Sequence, residues 1–422
     1  MGPGLLAAVK SKADGAAQWA AVALGLSIPI SVALDNVLLF VVLAGWLASG
    51  AWREKRDAIR GNRVALAALA LFGLLLAGTL YGERNPGDTA LILRKYLDLL
   101  WIPILVWLFR DPAMRLRALH ALAAALALVL LMSFLIMADV IPGADFLTGN
   151  SSYPVVLKGR QTHGPLMAFG AFLYVQFALA ATAARVRVLW LALAALAVIN
   201  GTLVVQGVTG YLVFGVLALY LGYGWRGWRG LGWAAGAAAG AFTLLVLLPG
   251  PFQGRVARVQ SEISQWQPGV PDESSSVGTR IEFYRMSLAI ARDHPFIGSG
   301  TGSFARAYEE KARGQAVLPS RNPHNEYLHI LVQLGLVGLA ALLYLFWTHW
   351  RLAPRLASPL EHHLARGLIL TMAVGCLFNS WLLDHTEGLL YAWLTGLLFG
   401  GLKSREMGNR EQEIAKAPLR AL

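Results

Sequence analysis

The chain has 422 residues, of which 56% are hydrophobic and only 14% charged, where a water-soluble protein carries roughly a quarter. With 44 Gly, 18 Pro and 14 Trp it has the make-up of many packed membrane helices, which excludes a string of two or three soluble domains. Its formal charge of +12 raises nucleic acid as a partner, and its single cysteine, Cys376, excludes a disulfide framework or a multi-cysteine metal site.

A transmembrane helix needs about 20 mostly apolar residues. In chain order, runs that meet or approach this cover 16–34, 36–52, 64–81, a shorter 97–109, then 118–137, 165–184, 188–205, 208–223 and 231–248. After a long interruption come 328–350 and the shorter runs 368–383 and 389–402. The expected fold class is an all-α polytopic membrane protein with about 12 transmembrane helices. Its parts would be the first nine spans over 1–248, an outer loop domain with amphipathic helices over 249–327, three further spans over 328–402 and a cytoplasmic tail over 403–422. Lys10 and Lys12 ahead of the first run imitate a secretory signal, but the later runs and the lack of a small-x-small cleavage site favour a retained helix.

The charge settles the orientation. With a cytoplasmic N-terminus, the inward segments 1–15, 53–63, 110–117, 185–187, 224–230, 351–367 and 403–422 hold 22 Lys and Arg against 8 acids. The remainder holds 14 basic and 16 acidic residues. The whole positive excess is a positive-inside signal, so nothing is left to argue for nucleic acid, and both termini are expected in the cytoplasm.

Most loops are short. The segment 249–327 opens on Pro249-Gly250-Pro251, runs through a polar stretch at 265–278, and then shows a helical pattern over 280–293 with Ile281, Tyr284, Leu288 and Ala291 at the apolar positions. Such an amphipathic helix lies on the bilayer lipids or caps the bundle. A second outer loop, 141–163, ends in Lys158-Gly159-Arg160-Gln161-Thr162-His163.

The chemistry concentrates at Asn322-Pro323-His324-Asn325. Asn as cap and Pro at the first position predict a helix start, with His324 in the first turn beside unsatisfied N–H groups. That end of a helix disfavours an imidazolium and attracts an anion. A neutral base beside an anion site suits transfer from a phosphorylated donor to a hydroxyl; the plainer reading is a capping histidine at an interface. Arg160, Arg280 and Arg285 lie outside the spans, where a guanidinium can grip phosphate with two bonds. Arg84, Arg94 and Lys95 border the short fourth run and would draw a lipid phosphate or mark an interface. Asp384, His385 and Glu387 follow the eleventh run, where charges are costly; they read as support for the histidine or as a helix cap. Gly335 and Gly338 read as helix-packing glycines. Gly298-Ser299-Gly300-Thr301-Gly302 lacks the strand and Lys of a phosphate loop and reads as a turn. No HExxH, GxSxG or zinc pattern is present.

The run His324-Asn325, nine residues, Gly335, two residues, Gly338 resembles the signature of the O-antigen ligases, whose superfamily includes O-antigen polymerases and protein O-oligosaccharyltransferases. Ser276-x-x-x-Arg280 and Pro295-x-x-Gly298-x-Gly300-x-Gly302-Ser303-Phe304 are similar to the wider superfamily, and Asp384-His385-Thr386-Glu387-Gly388 to the ligases. The resemblance covers the C-terminal half. It implies a GT-C-like glycosyltransferase with a periplasmic site and a metal-independent, inverting transfer needing no cofactor. The donor would be a glycan on undecaprenyl pyrophosphate and the acceptor lipid A–core. His324 would be the general base, and Arg160 and Arg280 would hold the pyrophosphate. Asn325, Arg285, Asp384, Glu387, Arg84 and Lys95 would assist. Where the family often shows Arg-Thr-Gly-Tyr this chain has Val208-Thr209-Gly210-Tyr211, and Arg160 is the cation expected to compensate. From a different class, a lipid-linked glycan carrier or flippase is the alternative; against it, the charged motifs cluster at one face and not at mid-membrane.

Overall fold

The computed structural model describes residues 3–82, 85–141, 149–247, 251–270, 274–315 and 317–402. In chain order its helices begin with α1 (Pro3–Ser27), α2 (Val32–Ala48), α3 (Trp52–Gly61), α4 (Arg63–Ala77), α5 (Pro86–Tyr96) and α6 (Asp98–Leu108). Then follow α7 (Pro112–Met137), α8 (Arg160–Ala180), α9 (Ala184–Ile199), α10 (Val208–Leu247) and α11 (Pro251–Gln265). The last are α12 (Ser276–Asp293), α13 (Phe304–Ala312), α14 (Glu326–Leu352), α15 (Pro359–Gly375) and α16 (His385–Phe399). No β-strand occurs among the described residues, and the chain is an all-helical membrane protein.

Among the described residues six helices are long and apolar enough to cross a bilayer, or seven if α2 and α3, bent by 115°, act as one span. This is fewer than the number that hydropathy suggests, for three physical reasons. Several runs end short: α2 and α15 have 17 residues, α16 has 15 and α6 has 11. The first helix carries Lys10, Lys12 and Asp14 along its length. Finally, α10 unites two runs across a break at Arg226 and Gly227. There the arms fold against each other, because a Cβ on Gly222 would sit 2.5 Å from the Gly230 carbonyl and 2.7 Å from Ala234.

The long loop is helical over much of its length. It holds three helices, α11, α12 and α13, and α12 starts four residues before Arg280. Ser275 caps it by accepting from the Gly278 N–H at 2.9 Å, while Glu262 of α11 accepts from the Val277 N–H at 2.8 Å. An apolar cluster of Phe283, Met286, Ile290, Phe304, Tyr308 and Val332 then seats α12 and α13 against α14.

Helices α14 and α15 are antiparallel neighbours. The start of α14, the end of α15 and the start of α16 therefore lie at one end of the bundle, and the start of α8 joins them through Thr162, which hydrogen-bonds Glu387. At the opposite end Arg115 and Glu361 form a buried ion pair at 2.7 Å between the first turns of α7 and α15. Arg115 also donates to the Phe109 carbonyl at 3.0 Å, and Glu361 accepts from the Ala357 N–H at 3.1 Å. Removing one partner of such a pair leaves a buried charge uncompensated. Glu361→Ala is expected to destabilise the protein by about 3–5 kcal/mol, read as a lowered melting temperature in detergent.

Candidate active site

The scaffold of the site is a broken helix. At Gly335 the backbone of α14 turns to φ 62° and ψ −158°. The loop 295–302 inserts at this break. Its carbonyls at Pro295 and Phe296 accept from the Leu336 and Val337 N–H groups at 2.8 and 3.1 Å, while the Ser299 and Gly300 N–H groups donate to the Val332 and Gln333 carbonyls at 2.8 and 2.9 Å. The break thus loses no backbone hydrogen bonds it cannot replace, the condition for irregular backbone at membrane depth. Gly335 is a break point and not the packing glycine its spacing suggests. The loop is a docked turn, as expected: Thr301 bonds the Leu75 and Gly78 carbonyls at the end of α4, and a Cβ on Gly300 would strike the Tyr81 carbonyl at 2.3 Å.

His324 stands just outside α14. Asn325 caps the helix, its Oδ1 accepting from the Leu328 N–H at 3.0 Å, so the helix begins later than Asn322-Pro323 predicts. Asn322 instead closes a turn, its Oδ1 accepting from the His324 N–H at 2.8 Å and from the Ser380 hydroxyl at 2.7 Å. His324 is left with a left-handed backbone, φ 53°. For a residue with a side chain this is an uncommon conformation, held here by surrounding contacts.

Those contacts come mostly from 376–384, the segment after α15. Hydropathy runs the eleventh span to residue 383, but α15 stops at Gly375, where the Trp381 ring packs so closely that a Cβ would sit 1.9 Å from it. The freed chain is stitched to the histidine turn. Asn325 Nδ2 donates to the Leu377 carbonyl at 3.0 Å, and the Glu326 N–H to the Cys376 carbonyl at 2.8 Å. His324 Nδ1 lies 3.0 Å from Asn379 Oδ1, and Asn379 Nδ2 donates to Asp384 Oδ2 at 2.6 Å. On its other side the half-buried ring of His324 stacks with Phe283 of α12, centroids 6.1 Å apart.

Asp384 is the meeting point of charge. Burial pushes its carboxyl up, while Lys95 and His324 work against that shift. With Arg94, Asp98 and His385, Lys95 and Asp384 form the polar end of a 740 Å³ cavity whose apolar wall includes Phe40, Leu43, Trp101 and Ile104. One turn along α16, Glu387 hydrogen-bonds Thr162, two residues from Arg160. Lys158, in the same approach to α8, has a buried ammonium with no hydrogen-bond partner among the described residues. Burial draws its pKa down, and Asp35 and Glu387 oppose that.

The structure therefore brings His324, Asn325, Asp384, Glu387 and Lys95 to one end of the bundle. Arg280 lies in the second turn of α12, half-buried, one turn before Tyr284. The Tyr284 hydroxyl donates to the Leu377 carbonyl at 2.8 Å, with the His324 carbonyl 3.3 Å away. Burial pushes the Tyr284 phenol up, and the Arg280 guanidinium is among the groups that oppose this. Arg160 opens α8, exposed, its guanidinium over the Tyr153 ring at 5.6 Å. Arg285 faces elsewhere: it pairs with Glu282 at 2.6 Å and donates to Gln315 at 2.9 Å, tying α12 to the loop after α13. Arg84 lies outside the described residues. Among the described residues no group of three or more His, Cys, Asp or Glu could hold a metal ion.

Sequence reasoning missed Asn379 and the anchoring role of Tyr284. A signal for the first existed, because an Asn-Ser pair inside an apolar run is costly in a bilayer and marks either function or a break.

Residues 191–343 match the family model described as O-Antigen ligase. The match supports an O-antigen ligase-family assignment. It takes in Arg280, His324, Asn325, Gly335 and the loop 295–302, and leaves Lys95, Arg160, Asn379 and Asp384 in flanking sequence. No curated protein matches the chain.

Proposed function

We propose that the chain is an O-antigen ligase of the bacterial inner membrane, a GT-C-like enzyme of about twelve spans with a periplasmic site. It transfers a glycan from undecaprenyl pyrophosphate to a sugar hydroxyl of lipid A–core. The observation that carries this reading is His324, bonded at Nδ1 to the Asn379–Asp384 pair and placed within a family domain. Three helix starts, those of α8, α14 and α16, gather at this end, and each contributes a positive dipole suited to a phosphorylated ligand.

The acceptor oxygen attacks the anomeric carbon from the face opposite the pyrophosphate, inverting its configuration. The carbon–oxygen bond to the carrier breaks as the new glycosidic bond forms, and the hydroxyl proton passes to His324. Arg280, Arg160 and Lys95 neutralise the departing pyrophosphate, a task that fixed cations can perform without a metal ion. The apolar cavity beside Lys95 suits the lipid part of a substrate. Arg280→Ala is expected to lower kcat by about 10²–10³-fold.

The decisive experiment mixes purified protein with undecaprenyl pyrophosphate-linked glycan and lipid A–core in detergent. A ligase yields conjugate with neither ATP nor an ion gradient. Longer lipid-linked chains with no conjugate would mark a polymerase, conjugate on a protein acceptor alone a protein O-oligosaccharyltransferase, and no product at all a carrier.

A further inference from the structure

From the hydrogen-bond order His324–Asn379–Asp384 we infer that Asn379 is a positioning residue, which holds the His324 imidazole in the tautomer that leaves Nε2 free to take a proton. The inference rests on the reading of His324 as the base. It follows from what each atom is able to donate. An ionised carboxylate only accepts, so Asp384 Oδ2, 2.6 Å from Asn379, fixes which side of that amide carries the NH2 group. The amide oxygen must then face the ring, where it lies 3.0 Å from Nδ1. A carbonyl oxygen also only accepts, so in the neutral ring the hydrogen sits on Nδ1 and the lone pair on Nε2. Nε2 has no hydrogen-bond partner among the described residues.

The order of the three residues matters. A histidine with no partner divides between two tautomers, and only one presents a basic nitrogen at a given point. Here the charge of Asp384 orients a neutral amide, and the amide orients the ring. The base is thereby positioned without a negative charge touching the imidazole, which would favour its protonated form.

Two variants of Asn379 test this in the purified ligation assay. Asn379→Leu removes the acceptor for Nδ1 and should lower kcat by about 10²-fold with KM unchanged, because a general base in the wrong tautomer is lost while substrate contacts remain. Asn379→Asp keeps the size and the acceptor but sets a carboxylate against Nδ1–H, with one proton shared between residues 379 and 384. It should retain substantial activity at high pH, and the acid limb of its pH–rate profile should move to higher pH. That displacement reports that residue 379 faces the base, and the fall in kcat of Asn379→Leu reports that the contact serves turnover. An asparagine that only held the fold would lower the melting temperature and leave kcat of the folded enzyme unchanged. Wild-type kcat in Asn379→Leu, or an unmoved profile in Asn379→Asp, overturns the inference. If Asn379→Leu fails to fold, Asn379→Asp decides alone. His324→Gln separates the two readings: activity in that variant removes the base itself, whereas an inactive His324→Gln beside fully active Asn379 variants removes only the positioning role.

Discussion

His324→Ala is expected to reduce conjugate formation by about 10²–10⁴-fold, the usual contribution of a general base. The loss should appear in kcat, because the imidazole takes its proton in the transition state and contributes little to ground-state binding. Folding should survive. The residue lies outside α14, whose cap is Asn325, and among the described residues its ring makes one side-chain hydrogen bond and one stacking contact. A half-buried hydrogen bond of this kind is worth about 0.5–1.5 kcal/mol. A melting curve beside the assay distinguishes lost chemistry from lost structure. Wild-type rates in His324→Ala would show that the proton goes elsewhere.

Gly335→Ala is expected to act through the scaffold, with a large fall in both melting temperature and activity. Its backbone conformation is nearly exclusive to glycine, and imposing it on another residue costs about 1–3 kcal/mol. The added Cβ would also meet the Phe296 carbonyl carbon at 2.3 Å, and Phe296 belongs to the loop that repairs the helix break. Displacing that loop disturbs the seat of α12 and α13 on α14, and with it Arg280, Tyr284 and the stacking of Phe283 on His324. Gly73→Ala on α4 is the control, since an added Cβ there meets nothing within 4 Å. If Gly335→Ala melts and turns over like that control, the break is not what holds the site.

Both effects converge on a segment of which the sequence shows only half. Hydropathy and composition determined that this is a helical membrane protein, because an apolar run signals burial in lipid whatever its neighbours do. The family signature singled out His324 and the glycine loop, since both are written in contiguous residues. What hydropathy could not determine was where helices stop short. The end of α15 is set by Trp381 lying over Gly375, and the break in α14 by a loop more than thirty residues upstream docking on Gly335.

The partners of the histidine belong to the same class. Asn379 lies 55 positions from His324, inside what reads as a continuous span, and it carries the hydrogen-bond link between the ring and Asp384. Arg285 resembles Arg280 in sequence, yet one is tied to Glu282 and Gln315 and the other stands a turn from Tyr284. Residue type and local spacing determine which groups are able to do chemistry. Which of them meet is decided by packing between distant helices, and no one-dimensional period encodes that.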